Sequence, residues 1–277
     1  MPELPEVEHV VRALRRTVLG RQIVSVDIRL AKLIAPTSSS AFNRKLKNAR
    51  IESIGRRGKY ILIELDSNRI LAVHLRMTGQ FRLLTPDDSL PPHAHAIFYL
   101  DDERRLVFRD QRQFGLMKLV ASSQLSKTKG IQELAPEPFS DDFSVGYLKE
   151  VFARSRRTLK TVLLDQTRVL GLGNIYAAEA LFRARINPFK IASELSARRV
   201  ERLHQAIRDV LRAAVSGNSS RRINLENPNG FSYGEAFGKV WQVYEREGEP
   251  CFKCGTRIRR LTHGGRSTYW CPKCQKR

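Results

Sequence analysis

At 277 residues the chain is long enough for two domains and a small third. With 42% hydrophobic and 28% charged residues it is not a disordered chain, and no apolar run approaches the ~18 residues of a membrane span. A net charge of +21 and a pI of about 10.4 point to a polyanionic partner, nucleic acid first among them.

The basic residues are scattered along the chain and not gathered on one amphipathic helix, which argues against a membrane-surface protein. The first twenty residues mix acids, bases and aliphatics and contain no signal-peptide core. The expected location is cytoplasmic.

The chain opens "MPELPEVE". Pro5 suits the first turn of a helix, where its missing N–H is not needed. Glu6 and Glu8 favour the positive end of the helix dipole. Val7, Val10, Val11, Leu14 and Val18 recur at helical spacing before Gly20, so a helix is predicted from about Pro5 to Leu19. Pro2 and Glu3 lie upstream of it and need another explanation.

From Gln22 to Val120 follow short strand candidates: "IVSVDIRL", "KYILIEL", "ILAVHL", "AIFYL", "RLVF" and "LMKLV". Their spacing predicts an all-β sandwich or barrel beside the opening helix. After the break "APEPFSDDF" the pattern turns helical, at Val145–Arg154, Thr158–Asp165, Asn174–Ala184 and Ala197–Val215. In "GLGNIYAAE" two glycines free the loop and Asn174 is expected to cap the next helix, where exposed N–H groups favour phosphate. The polar stretch "SGNSSRRINLENPNGFSYGEAFGK" is expected to be a loop. The acidic pairs Asp87–Asp88, Asp101–Asp102 and Asp141–Asp142 read as solvated turns.

All four cysteines lie near the end. Cys251-x2-Cys254 and Cys271-x2-Cys274 are separated by sixteen residues, a zinc-ribbon spacing. Four thiolates satisfy one tetrahedral zinc, whereas two disulfides are disfavoured in a cytoplasmic chain. "TRIRRLTHGGRSTYW" reads as two short strands around a His-Gly-Gly turn. From Cys251 to Arg277 there are eight Lys or Arg and no acid, as suits a finger that touches phosphates.

Removal of Met1 makes Pro2 a secondary amine at the N-terminus. An α-amino group has a pKa near ~8 against ~10.4 for lysine, so at neutral pH far more of it is nucleophilic. It could attack an aldehyde-level sugar carbon, with Glu3 moving protons beside it.

"PELPEVE", "GRRGKY", "HLRMTG", "DQRQFG", "GLGNIYAAEALF" and the four-cysteine finger occur in that order, from Pro2 to Gln275. Together they closely resemble the formamidopyrimidine-DNA glycosylase family, which excises oxidised purines from DNA. The resemblance implies a multi-domain α+β fold. Residues 1–135 would form a leading helix with a β-sandwich, residues 136–240 a helix-two-turn-helix domain with the lesion loop, and residues 241–277 a zinc finger. DNA would be held in the cleft between.

By the same resemblance Pro2 is the nucleophile that forms a Schiff base, and Glu3 is the acid that protonates the sugar ring oxygen. Glu6 supports them. Lys59 contacts phosphate and assists β-elimination; Arg266 grips the backbone and assists δ-elimination. Met77, Arg112 and Phe114 fill the void left by an extruded base, and His74 and Asn174 bind DNA. One structural zinc would sit on Cys251, Cys254, Cys271 and Cys274. The implied partner is double-stranded DNA carrying oxidised bases or abasic sites, and the implied enzyme is a monomeric glycosylase and AP lyase.

The chain departs from the family pattern at "HAH" (His93–His95), where His-Asp-His is common, and at Gln113, where a second arginine is common. The loop from Gly217 to Lys239 does not align cleanly. Two other readings stand beside the first: an endonuclease VIII-like enzyme for oxidised pyrimidines, and a non-catalytic zinc-ribbon DNA-binding protein. Leu4, where the pyrimidine branch tends to have glycine, favours the purine branch.

Overall fold

The computed structural model describes residues 2–216, 223–227 and 241–276. They form two compact units, 2–132 with 223–227 and 133–216 with 241–276.

The first unit contains α1 (Leu4–Val18), β1 (Gln22–Ile28), α2 (Ser39–Leu46), β2 (Ala49–Arg57), β3 (Tyr60–Leu65), β4 (Arg69–His74), β5 (Gln80–Leu84), β6 (Ala94–Leu100), β7 (Arg105–Arg109) and β8 (Leu116–Ala121). The strands pair in the order β5-β7-β6-β1-β2-β3-β4-β8, and every pairing is antiparallel. The β1–β2 seam consists of Gln22↔Arg50 and Ile23↔Ala49 alone, so the sheet divides there into two layers. Ile23, Phe81, Phe98 and Leu106 of one layer meet Ile51, Ile63 and Leu71 of the other in a shared core. This is the expected β-sandwich.

Val7, Val10, Val11, Leu14 and Val18 of α1 are buried in that core as their spacing predicts. Each such aliphatic contributes roughly 1.5–3 kcal/mol. The helix lies against β2 and β3. Three elements were not among those predicted. In β2 ("ARIESIGRR") charges interrupt the apolar alternation, and β5 ("QFRLL") is short. The helix α2 is started by Ser38, whose hydroxyl accepts from the Ala41 N–H at 3.3 Å. Part of the polar stretch expected as a loop of the helical domain also packs in this unit. Leu225 is fully buried, and its carbonyl accepts from Leu83 N at 2.9 Å.

The second unit contains α3 (Val145–Ala153), α4 (Leu159–Leu163), α5 (Asn174–Arg183), α6 (Ala197–Ser216), β9 (Arg259–His263) and β10 (Arg266–Trp270). Helix ends fall within two residues of the expected ones. Val200, Leu203, Ile207, Leu211 and Ala214 give α6 one buried face, which packs on α5 and α3. β9 and β10 form the expected hairpin. Gly264 and Gly265 adopt φ of +57° and +71°, as a two-residue type I′ turn requires.

The three acidic pairs lie on turns. Asp102 is held by Arg104 at 2.6 Å, and Asp88 accepts from Thr85 N at 2.7 Å. Among the described residues no helix is long and apolar enough to cross a membrane.

Candidate functional site

The start of the chain is tied down by the first turn of α1. A helix leaves its first N–H groups without partners, and two acids answer them reciprocally. Glu3 N donates to Glu6 Oε2 at 2.8 Å, while the Glu3 side chain accepts from the Glu6 N–H. Glu3 and Glu6 are 2% and 3% exposed, and Pro2 is buried with them. The box thus holds position 2 beside two carboxylates at the positive end of a helix. Met1 lies outside the described residues.

A second cluster forms where the β2–β3 turn meets the end of β4. Gly58 takes a φ of +57° at the turn, and Lys59 beside it is buried. Arg56 binds the Gly58 carbonyl at 3.0 Å and Glu8 of α1 at 3.4 Å, which links helix and turn. Tyr60 pairs with His74 across the sheet, and their rings meet edge-on at 4.7 Å. Arg76 N donates to His74 Nδ1 at 3.0 Å, so the neutral ring carries its proton on Nε2. Burial, then the charges of Arg76 and Lys59, push the His74 pKa down to about 3. His74 is therefore a neutral donor at physiological pH.

Met77 and Phe114 carry a different signal. By composition such residues belong in a core, yet they are 38% and 52% exposed. The Arg112 guanidinium stands over the Phe114 ring at 5.0 Å. The three expected void-fillers thus sit in the two loops that follow β4 and β7. Gln113, one of the departures, has a φ of +55°. His95 of the "HAH" departure shares its Nε2 proton with the Asp110 carbonyl at 2.9 Å.

In the helical unit Asn174 does not cap α5, contrary to expectation. Gly173 holds the N-cap position, and Asn174 is the first helical residue. Its Nδ2 instead donates to Ser267 O at 3.0 Å, in the strand that Arg266 begins. Lys160, 1% exposed, donates to the same carbonyl and to Thr268 Oγ1, each at 2.8 Å. His263 Nε2 lies 2.7 Å from Thr158 Oγ1. The hairpin is thereby fastened to α4 and α5, with exposed Arg266 beside a hollow of about 270 Å³ lined also by Arg157, Lys160 and His263.

Lys160 was not legible as a site residue, because a lysine in a helix is ordinarily solvated. Glu179 was missed for the same reason. Buried in α5, it accepts from the N–H groups of Gln242, Val243 and Tyr244 at 2.9–3.1 Å. Burial pushes its pKa up despite those three bonds. It fastens the segment that leads into the finger.

Cys251, Cys254, Cys271 and Cys274 bring all four sulfurs within 4.8 Å of one another. Sulfurs 2.3 Å from a tetrahedral zinc stand about 3.8 Å apart, close to the 4.0 Å of Cys251–Cys274 and the 3.5 Å of Cys254–Cys271. A disulfide would need ~2.05 Å, and all four thiols are free. The Thr256 hydroxyl and backbone lower the Cys254 pKa to about 6. Donor type, number and spacing fit one zinc ion.

Comparisons with known proteins match three stretches of the chain. Family models match the formamidopyrimidine-DNA glycosylase N-terminal domain over residues 1–117, the H2TH domain over 134–224, and a zinc finger found in FPG and IleRS over 248–277. A formamidopyrimidine-DNA glycosylase of Pelotomaculum thermopropionicum is 44% identical over 276 residues, covering 100% of this chain and 99% of that one. A Lactococcus lactis formamidopyrimidine-DNA glycosylase, solved non-covalently bound to DNA containing an AP site, is 33% identical with a TM-score of 0.89. The same enzyme solved with Fapy-dG-containing DNA gives 33% and 0.89. Both cover 99% of this chain and 100% of theirs.

Proposed function

This chain belongs to the formamidopyrimidine-DNA glycosylase family, and from that premise we propose that it is a bifunctional DNA glycosylase and AP lyase of base excision repair. Its substrates are oxidised purines, 8-oxoguanine and formamidopyrimidines, in duplex DNA. The observation that carries the reading is the reciprocal Glu3–Glu6 box on a buried Pro2. It holds one amine and two carboxylates together, as amine-mediated glycosidic cleavage needs.

Once Met1 is removed, the Pro2 nitrogen attacks the anomeric sugar carbon. The bond to the damaged base breaks, its electron pair leaves with the base, and the base takes up the proton that the Pro2 nitrogen loses. Glu3 gives a proton to the ring oxygen as the sugar opens, and Pro2 and the sugar are left joined as an iminium. Loss of a proton from the adjacent carbon then expels the 3′ phosphate; a second elimination expels the 5′ phosphate. Water finally frees Pro2.

Lys59 and Arg266 neutralise phosphates around the lesion, with His74 and Asn174 as neutral donors. Met77, Arg112 and Phe114 occupy the gap left by the extruded base, since apolar wedges fit between base steps and arginine serves an orphaned cytosine. Zinc on the four cysteines is structural: it closes the finger that presents Arg266. The enzyme acts as a monomer.

Nicking of duplexes carrying 8-oxoguanine or thymine glycol, compared side by side, tests the reading. Faster nicking of the 8-oxoguanine strand is expected. Preference for thymine glycol would move the enzyme to the pyrimidine branch. Absence of all cleavage would leave a non-catalytic DNA-binding protein.

A further inference from the structure

"HLRMTG" and "DQRQFG" lie apart in the chain, and the topology brings them together. β4 and β8 are neighbours in one layer of the sandwich, and β5 and β7 are neighbours in the other. The β4–β5 loop therefore crosses between the layers, and the β7–β8 loop crosses back at its side. Their glycines both abut Phe108. A Cβ on Gly79 or on Gly115 would come within 2.7 Å of Phe108 Cζ. Only residues without a side chain allow both loops to pack so closely on one ring.

A buried carboxylate completes the junction. Asp110, 1% exposed, accepts from Gly115 N through Oδ2 at 2.7 Å and from the Thr78 hydroxyl through Oδ1. The Thr78 oxygen in turn accepts from Arg112 N at 3.0 Å. The Asp110 backbone is itself fixed. Its N–H donates to His93 O at 3.1 Å, and its carbonyl accepts from Gln113 N at 3.1 Å and from His95 Nε2. One hydroxyl thus relays between the loop that bears Met77 and the loop that bears Arg112 and Phe114. Hydrogen bonds to a buried charge are the strong ones, and breaking them leaves the charge underserved.

We propose that Thr78 and Asp110 are positioning residues that lock the two loops together, so that Met77, Arg112 and Phe114 enter the base stack as a single preorganised wedge. The inference rests on the void-filling role proposed above. It accounts for the polar threonine beside Met77 and for His95, neither of which that role uses. A wedge prepared on a rigid base avoids the ordering cost of fixing three side chains at the moment of insertion.

Stopped-flow fluorescence of 2-aminopurine placed beside 8-oxoguanine reads insertion, and urea unfolding reads stability separately. Thr78→Val keeps the shape and removes both hydrogen bonds; it should slow the fluorescence rise about tenfold. Thr78→Ser should restore it to within about twofold. In Asp110→Asn the single oxygen can keep the Gly115 N–H while the amide donates to Thr78, so it too should insert readily; Asp110→Ala should not. Met77→Ala should slow the rise by itself, and adding Thr78→Val should slow it little further.

A Thr78→Val enzyme that inserts at the wild-type rate while Met77→Ala is slowed would overturn the coupling and keep the wedge. So would a Thr78→Val enzyme whose urea midpoint falls with no change in insertion. Unchanged insertion in both Met77→Ala and Phe114→Ala would remove the wedge reading, and the coupling with it.

Discussion

The Glu3 N–H donates to the Glu6 carboxylate at 2.8 Å, and the Glu3 side chain accepts from the Glu6 N–H. The proposed acid is thus also a helix-capping residue, and the two roles separate experimentally. Expelling a base requires protonation as the sugar bond opens, help typically worth ~10²–10⁴ in rate. A preformed abasic site is already at the aldehyde level and can condense with Pro2 directly. Glu3→Gln should therefore slow nicking of 8-oxoguanine DNA by about that factor while retaining substantial nicking of abasic DNA. Glutamine still offers a capping oxygen, so equal loss on both substrates would assign Glu3 to both steps.

The amine assignment predicts that Met1 is absent from the purified protein. Borohydride should trap a covalent complex with lesion DNA through Pro2, as tryptic mapping would show. Attachment at Lys59 would overturn the assignment. An extra residue retained at the N-terminus should abolish trapping while DNA binding persists.

His74 makes stability depend on pH with a defined sign. Its folded-state pKa of about 3 lies below the ordinary 6.5. Between those values the unfolded chain takes up a proton that the folded chain refuses, so stability falls as pH falls through that window. Above it His74 contributes no slope. At ~1.4 kcal/mol per unit, the loss from near pH 7 to about pH 4.5 is on the order of 3 kcal/mol. Urea unfolding of the wild type and His74→Gln at both pH values checks this, because the variant should lose that part of the slope. A neutral His74 also predicts that His74→Gln leaves the salt dependence of DNA binding unchanged. Lys59→Met should lower the slope of log affinity against log salt by about 0.9.

Cys254→Ser should release the metal and most of the DNA affinity. Without the cation, the four sulfurs that lie within 4.8 Å of one another have no bond to close the finger. Zinc content by mass spectrometry and binding titrations with salt check it. Tight, salt-sensitive binding without metal would show that the finger is dispensable.

What the sequence by itself determined is local. The ends of α1, α3, α5 and α6 follow from apolar spacing and breaker residues a few positions away. The finger follows from two C-x2-C turns and a Gly-Gly hairpin, in which every determinant lies within twenty-seven residues. Motif order was enough to name the family.

Only the tertiary structure decided which side chains meet. Asn174 looked like a cap because two glycines, Gly171 and Gly173, come just before it, yet its Nδ2 donates to Ser267, ninety-three residues on. Ile223 and Leu225 sit in a polar stretch and still complete the sandwich core. Lys160 and Glu179 are charged residues whose burial is possible because backbone groups from distant segments satisfy them, and Asp110 is satisfied by Gly115 N and by the Thr78 hydroxyl thirty-two residues away. The reverse holds for Met77 and Phe114, which composition sends inward. Both stand in the two crossing loops that pack on Phe108 and are joined through Asp110, and both are exposed to solvent. Spacing along a chain reports which face a residue shares with its neighbours; it carries no information about which distant donor or ring will reach it.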